Sequence, residues 1–233
     1  MRSASVKSAI VGKVISVQNG EPVKPASRAE RRKTRTRQAL IDAARDFLAR
    51  QGLAEVSIQE LTDVADVGFG SFYNYFTSKD ELFQAAITDV LEEHGQLLDE
   101  LTSDLEDPAE VFAASVRLTG RLADTHPQVA RILTRTGLPY LDSDKGLAPR
   151  ALRDIRRAVD AGRFRIANPH VALASAGGSL LGFLQLRIAH PDLVGEDACE
   201  ELAEQLLRMY GMDRETAYAI AHRPLPSGGV QFQ

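Results

Sequence analysis

Seven residues between Phe69 and Lys79 carry chemistry suited to gripping a nucleic acid. Ser71 and Tyr73 offer hydroxyls that can bond phosphate oxygens, and Tyr75 adds another phenol. Gly70 lets the backbone approach a phosphate closely. Asn74 can bond a base edge, with adenine its favoured partner, and Phe69 can touch a thymine methyl. Lys79 opens a helix, where its ammonium and the free backbone N–H groups can hold phosphate together. The company these residues keep is unusual. Phe69, Phe72, Tyr73, Tyr75 and Phe76 are five of only fourteen Phe and Tyr in a chain without Trp, and they sit beside Gly68, Gly70, Ser71 and Asn74. A core needs aromatic rings but does not need them in that setting. Val67, Phe72 and Phe76 are expected to face inward, leaving the others for presentation.

Other chemistries find little support. His94, His126, His170, His190 and His222 are scattered, without the spacing of a metal site. Cys199 falls within an apolar stripe, which suits packing better than nucleophilic attack. Gly68-Phe69-Gly70 is half a phosphate loop with no strand leading into it. No Ser-His-Asp arrangement stands out. We therefore expect no enzyme, no metal and no cofactor. A single cysteine forbids an internal disulfide and suits a reducing cytoplasm. No unbroken apolar run reaches ~18–20 residues, so no membrane partner is expected. The N-terminal stretch does not read as an export signal, because Lys7, Gly12 and Lys13 interrupt it.

The elements around these residues read as helices. Leu40, Ile41, Ala44, Phe47 and Leu48 recur at three- and four-residue spacing in a helix from about Ala29 that Gly52 stops. Arg31, Arg32, Arg35 and Arg37 lie at its N-terminal end, where the helix dipole disfavours cations. Either they serve an external anion or the helix starts later and they belong to a tail. Ser57 and Glu60 make a capping box before a short apolar stripe. Asp66, Val67 and Gly68 interrupt it, and a second short helix runs from about Phe69 to Phe76. Ser78 and Glu81 make another box at the head of a long helix. Two short helices joined by a tight turn on a basic module predict a helix-turn-helix. Residues 1–50 hold twelve Lys/Arg against four Asp/Glu, a charge of +8, and the remainder carries −12. That split suits a basic anion-binding part on an acidic body, although a solvated basic tail has the same charge.

Residues 65–82 also resemble the tetracycline-repressor (TetR) family, whose DNA-binding domain ends in a pattern close to A-G-V-S-x-G-T-[FL]-Y-x-[HY]-F-x-[SD]-K-[ED]-x-L. Ala65, Val67, Gly70, Ser71, Phe72, Tyr73, Tyr75, Phe76, Ser78, Lys79, Asp80 and Leu82 fall in register. The helix from Ala39 to Gly52, with Ala43, Ala44 and Phe47, is similar too. Two positions depart: Asp66 stands for the usual glycine and Gly68 for the usual serine. The resemblance implies a homodimeric regulator that binds a double-stranded operator and lets go when a small molecule enters its C-terminal domain. Family habit favours a repressor. Arg35, Arg37, Ser57, Phe69, Gly70, Ser71, Tyr73, Asn74, Tyr75 and Lys79 are the expected DNA contacts.

The rest of the chain is expected to be a helical bundle. Asp107-Pro108 and Asn168-Pro169 place a capping side chain before a first-turn proline, and Pro127 and Pro149 mark further starts. Helices are expected near 108–124, 127–136, 147–161, 169–189, 196–210 and 213–222. The fold class is thus all-α, with a flexible arm (1–27, in which VGKVISV could pair as a short strand) and a three-helix helix-turn-helix domain (28–83). A ligand-binding and dimerisation bundle (84–223) and a tail (224–233) follow. From Pro169 to Leu186 only His170 is ionisable, so that helix must be covered on all sides. One side suits the body's own core and the other a second subunit; a central helix of a monomeric bundle is the alternative. Gly177, Leu180, Leu184, Leu202, Leu206 and Met209 are the expected dimer contacts. For a mostly apolar or amphipathic effector, His94, Leu133, Leu138, Tyr140, Phe164, Leu181 and Phe183 are the expected lining. A helical interaction adaptor without DNA binding is the rival reading. It explains the bundle but not the basic module.

Overall fold

The computed structural model describes residues 27–50, 56–139 and 143–226, and every regular element among them is helical. In order the α-helices are α1 (Arg28–Arg50), α2 (Ile58–Val64), α3 (Phe69–Phe72), α4 (Lys79–Leu101), α5 (Pro108–Gly120), α6 (Leu122–Thr125), α7 (Pro127–Thr136), α8 (Leu147–Asp160), α9 (Pro169–Ala189), α10 (Ala198–Met209) and α11 (Arg214–Ala221), with a 3-10 turn at Pro191–Leu193. The helix stop expected at Gly52, the strand expected in residues 11–17 and Tyr140 lie outside the described residues.

α1 settles where its arginines belong. It starts at Arg28, so Arg31, Arg32, Arg35 and Arg37 are on the helix and not on a tail. Ser27 and Glu30 cap it reciprocally: the Ser27 N–H donates to Glu30 Oε2 at 2.6 Å, and the Glu30 N–H donates to Ser27 Oγ at 3.1 Å. The second half of α1 buries Leu40, Ile41, Ala44 and Leu48. They meet Leu61, Phe72, Phe76, Leu82 and Phe83 in the core of the first three helices and the head of α4. Burial of each phenylalanine there contributes about 1.5–3 kcal/mol.

α3 is shorter than expected. Regular helix ends at Phe72, and the chain turns through Tyr75 with Asn74 N–H donating to Ser71 O (3.1 Å) and Tyr75 N–H to Phe72 O (2.9 Å). Phe72 and Phe76 are one helical turn apart in either geometry, so their spacing alone does not reveal the tightening. At α4, Ser78 Oγ accepts from the Glu81 N–H at 3.1 Å as expected. The Glu81 carboxylate instead accepts from the Thr77 N–H and hydroxyl, each at 2.6 Å, so the box closes one residue earlier than the spacing suggests.

In the body, α5 and α9 open behind Asp107 and Asn168 caps, and α7 opens at Pro127. α8 begins two residues before Pro149, after Gly146. α5 breaks at Arg121, which separates the short α6. Two sets of contacts hold α1 on the body. Arg45 pairs with Asp89 (3.4 Å) and Glu93 (2.6 Å) on α4. Arg135 on α7 donates to the carbonyls of Leu48 and Arg50 at the end of α1. α9 alone among the described helices is long and apolar enough to cross a membrane, by length and composition only. Here its inward side is built into the bundle and Arg187 pairs with Asp124 at 2.7 Å.

Candidate nucleic-acid interface and effector cavity

α2 and α3 form the helix-turn-helix, and the turn between them explains the first motif departure. The Ser57–Glu60 capping box starts α2. At its end the Val67 N–H donates to Thr62 O (2.9 Å) and the Asp66 N–H to Asp63 O (3.2 Å), the paired bonds of a Schellman stop. That stop needs a left-handed residue, and Asp66 adopts it with φ 53°, the only non-glycine among the described residues to do so. Aspartate tolerates the conformation better than most residues, at some cost relative to glycine. Gly68 then starts α3 with no capping side chain, which is what the missing serine removes.

The turn projects the aromatics outward. Phe69 is 47 % exposed and Tyr73 55 %, while Phe72 and Phe76 are buried. Tyr73 is held edge-on between Phe69 (6.1 Å) and Phe72 (5.3 Å), so its hydroxyl is presented by a fixed ring. Gly70 and Asn74 are exposed, and Ser71 and Tyr75 are half-buried. A side chain at Gly70 would meet open space, so nothing among the described residues requires its smallness. Three expected contacts are already engaged. Ser57 Oγ accepts from the Glu60 N–H and donates to Glu60 Oε2 at 2.7 Å, which makes it a cap. Lys79 Nζ donates one bond to Val56 O at 3.0 Å, leaving two donors of an ammonium. Arg37 lies over the Phe76 ring at 5.0 Å, while Arg35 extends freely.

A second site lies inside the body. A cavity of about 80 Å³ sits among α4, α5, α7, α8 and α9, walled by apolar side chains that include Leu98, Phe112, Leu133, Leu173 and Leu181. Its polar side carries Asp99, Ser115, Thr119, Arg150 and Asp154. The cations there are committed. Arg150 binds Asp99 Oδ2 (2.8 Å), both Glu92 oxygens (2.7 and 2.9 Å) and Gly146 O (2.9 Å). Arg153 binds Asp99 Oδ1 (2.6 Å) and both Asp154 oxygens (2.8 and 3.0 Å). Burial opposes charge on Asp99, yet the hydrogen bonds from Arg153 and Arg150 hold its carboxyl below the usual range. Asp99 and Asp154 offer carboxylate acceptors to the cavity, while four of the five Arg150 N–H donors and three of the five on Arg153 are already engaged.

Of the expected lining, Leu133 and Leu181 are on this wall. His94 stands behind it, bonding Thr119 Oγ1 at 3.1 Å through Nε2, and burial pushes its pKa down to about 3, so the ring is neutral. Leu138 is 54 % exposed and lies elsewhere. Phe164 packs behind Phe112 and against Tyr210, at 5.4 and 5.1 Å between ring centroids. Phe183 lies against Gly120 on another side. The charged residues Asp99, Arg150 and Asp154 were not legible in the sequence, because they read as ordinary polar positions on α4 and α8.

The expected dimer contacts fall in different settings. Gly177, Leu180 and Leu184 line the cavity, and Leu184 is 1 % exposed. Leu206 is 2 % exposed beneath α10; Leu202 is half-buried, and Met209 is exposed. The outward face of α9 is instead Val171, Ala174, Gly178, Gly182, Gln185 and Leu186. A helix apolar all round gives no phase by which a reader can choose its outer side.

Comparison with known proteins agrees with both halves. Residues 40–86 match the family described as bacterial regulatory proteins, tetR family, and residues 107–223 match the tetracyclin repressor-like C-terminal domain. RolR, solved in complex with resorcinol, is 34% identical, covers 86% of this chain and 99% of its own, and superposes with a TM-score of 0.64. SmeT, the repressor of the Stenotrophomonas maltophilia multidrug efflux pump SmeDEF, shares the fold at 21% identity over 83% of this chain and all of its own (TM-score 0.61). The HTH-type transcriptional repressor KstR2 of Mycolicibacterium smegmatis is 32% identical over 98 residues, which span 40% of this chain and less than half of that repressor. The chain therefore belongs to the tetracycline-repressor family of regulators.

Proposed function

We propose that this chain is a cytoplasmic transcriptional repressor that binds its operator as a homodimer and releases it when a small hydroxylated aromatic enters the cavity. Residues 28–83 bind DNA, and residues 84–223 bind the effector and the second subunit. The observation that carries the effector class is the wall of Asp99 and Asp154, whose oxygens already hold Arg150 and Arg153. Such a wall accepts hydrogen bonds from neutral hydroxyls. It disfavours a carboxylate, which would face the Asp99 and Asp154 oxygens while most of the neighbouring guanidinium donors are already engaged. The apolar remainder suits a single ring. The likeness to RolR, which was solved with resorcinol, supports the same class. Dimerisation is assigned to the exposed small and apolar residues of α9 around Gly178 and Gly182, flanked by Met209 on α10.

Calorimetric titration with resorcinol, phenol and benzoate tests this. Binding should rank in that order, with benzoate at least tenfold weaker than phenol. Ala176→Leu, which fills the cavity, should abolish binding while DNA is still bound. Tighter binding of benzoate than of resorcinol overturns the assignment.

A further inference from the structure

The family match on the DNA-binding side begins at residue 40, yet α1 extends twelve residues before that. Among the described residues its first turns pack against nothing: residues 27–35 are all exposed. Arg28, Arg31, Arg32 and Arg35 recur at helical spacing and so share one face. Among the described residues none of these four guanidiniums has an ion-pair partner. Glu30, on the same turn, is engaged in the Ser27 cap, and Asp66 lines the same groove without an ion-pair contact to any of the four among the described residues. Neighbours at i+3 and i+4 thus repel, and the positive end of the helix dipole adds to the strain. A stretch of about three turns is marginal on its own. Something anionic has to make this face worth keeping.

The surroundings say what. The four arginines line one wall of an open groove of about 1380 Å³, and Ser71, Asn74 and Tyr75 line the other. The basic face and the presented turn therefore address the same object. The geometry points to a second DNA contact: the arginine face of α1 clamps the sugar–phosphate backbone of the strand that flanks the base contacts. The inference rests on the DNA-binding reading and adds to it a longer footprint. Eight helical residues reach about 12 Å, which is about three to four base pairs beyond each half-site.

The test uses the full-length protein and a duplex it selects itself from random-sequence DNA. Removing the flanks outside the protected core should weaken wild-type binding at least tenfold. Arg31→Gln with Arg35→Gln should bind the long and trimmed duplexes equally and keep the same base preference. In a dimer its salt slope should be shallower by about 3.6, from four lost phosphate contacts. Arg31→Lys with Arg35→Lys should keep most of the wild-type slope, which separates charge from misfolding. If wild type binds the trimmed duplex as tightly as the long one, or the Gln variant keeps its slope, the clamp is wrong while core binding stands. If no duplex is selected at all, the DNA-binding reading itself fails.

Discussion

Asp66 offers a test in which backbone and charge can be separated. Its φ of 53° and the two bonds that close α2 require a left-handed residue. Alanine there should destabilise the protein by about 1 kcal/mol relative to aspartate, since it lacks the polar side chain that eases this conformation. Asparagine keeps that tolerance and should stay within about 0.5 kcal/mol. Glycine removes the strain but gains freedom in the unfolded chain, so the two effects roughly offset. For a protein of this size 1 kcal/mol is about 2–4 °C in melting temperature, well within reach of calorimetry. The charge acts separately. Asp66 lines the same groove as the arginine face of α1, where on the proposed reading it opposes DNA. A unit charge about 8 Å from a phosphate in water is worth about 0.5 kcal/mol, so two half-sites give about 1 kcal/mol. Asp66→Asn and Asp66→Gly should both bind DNA about fivefold more tightly at low salt, and the gain should fade as salt rises. An alanine variant as stable as the asparagine variant refutes the backbone argument. Unchanged affinity for both Asn and Gly variants refutes the placement of Asp66 near phosphate.

Other consequences can be measured independently. Glu200 is buried and accepts from Arg117 Nε (3.1 Å) and Nη2 (2.7 Å) and from Arg121 Nη2 (2.7 Å), so Glu200→Gln should cost about 3 kcal/mol in urea unfolding. Replacing Glu200 and Arg117 together by methionine should recover most of that loss. The Glu92 carboxyl is lowered to about 2, chiefly by the Arg150 hydrogen bonds. A depressed carboxylate contributes stability that is present above pH 4.5 and is lost as pH falls from there through 2. Partial exposure limits the contribution to about 1 kcal/mol, and Arg150→Gln should flatten that acid limb in denaturation measured against pH. Arg135→Met should leave effector affinity within about threefold but reduce the loss of operator affinity that effector causes, read by mobility shift with and without resorcinol.

Legibility in the sequence followed the range of the interactions. Helix starts at Ser57, Ser78, Asp107, Pro127 and Asn168 were readable because caps and first-turn prolines act over three residues. The inward role of Phe72 and Phe76 was readable from one turn of spacing. What failed depended on partners distant in the chain. Arg150 and Asp154 are four residues apart on α8, but only packing against Asp99 and Glu92, more than fifty residues away, makes them a cavity wall. The α9 face could not be chosen for the same reason, since Gly177 and Gly178 differ only in what the bundle puts beside them. Ser57 carried two expectations, a capping box with Glu60 and a DNA contact, and the reciprocal box is the one the geometry shows formed.

The link between the two sites runs through the helices that border the cavity. α4 places Leu98 and Asp99 at the cavity, Asp89 and Glu93 on Arg45 of α1, and Lys79 on the loop before α2. Its 23 residues make a rod about 35 Å long. α7 places Leu133 at the cavity and, two residues on, Arg135 on the last carbonyls of α1. A ligand that enlarges the cavity displaces one or both of these walls. A hundredfold loss of operator affinity requires about 2.7 kcal/mol of coupling. The Arg45 pairs, partly exposed, are worth about 0.5–1 kcal/mol each, and the Arg135 bonds to backbone about 1–2 together. Neither helix alone supplies the whole sum, but the two together do. On the proposed effector reading, the cavity controls DNA only if the ligand acts on α4 and α7 at once, and it lies between them.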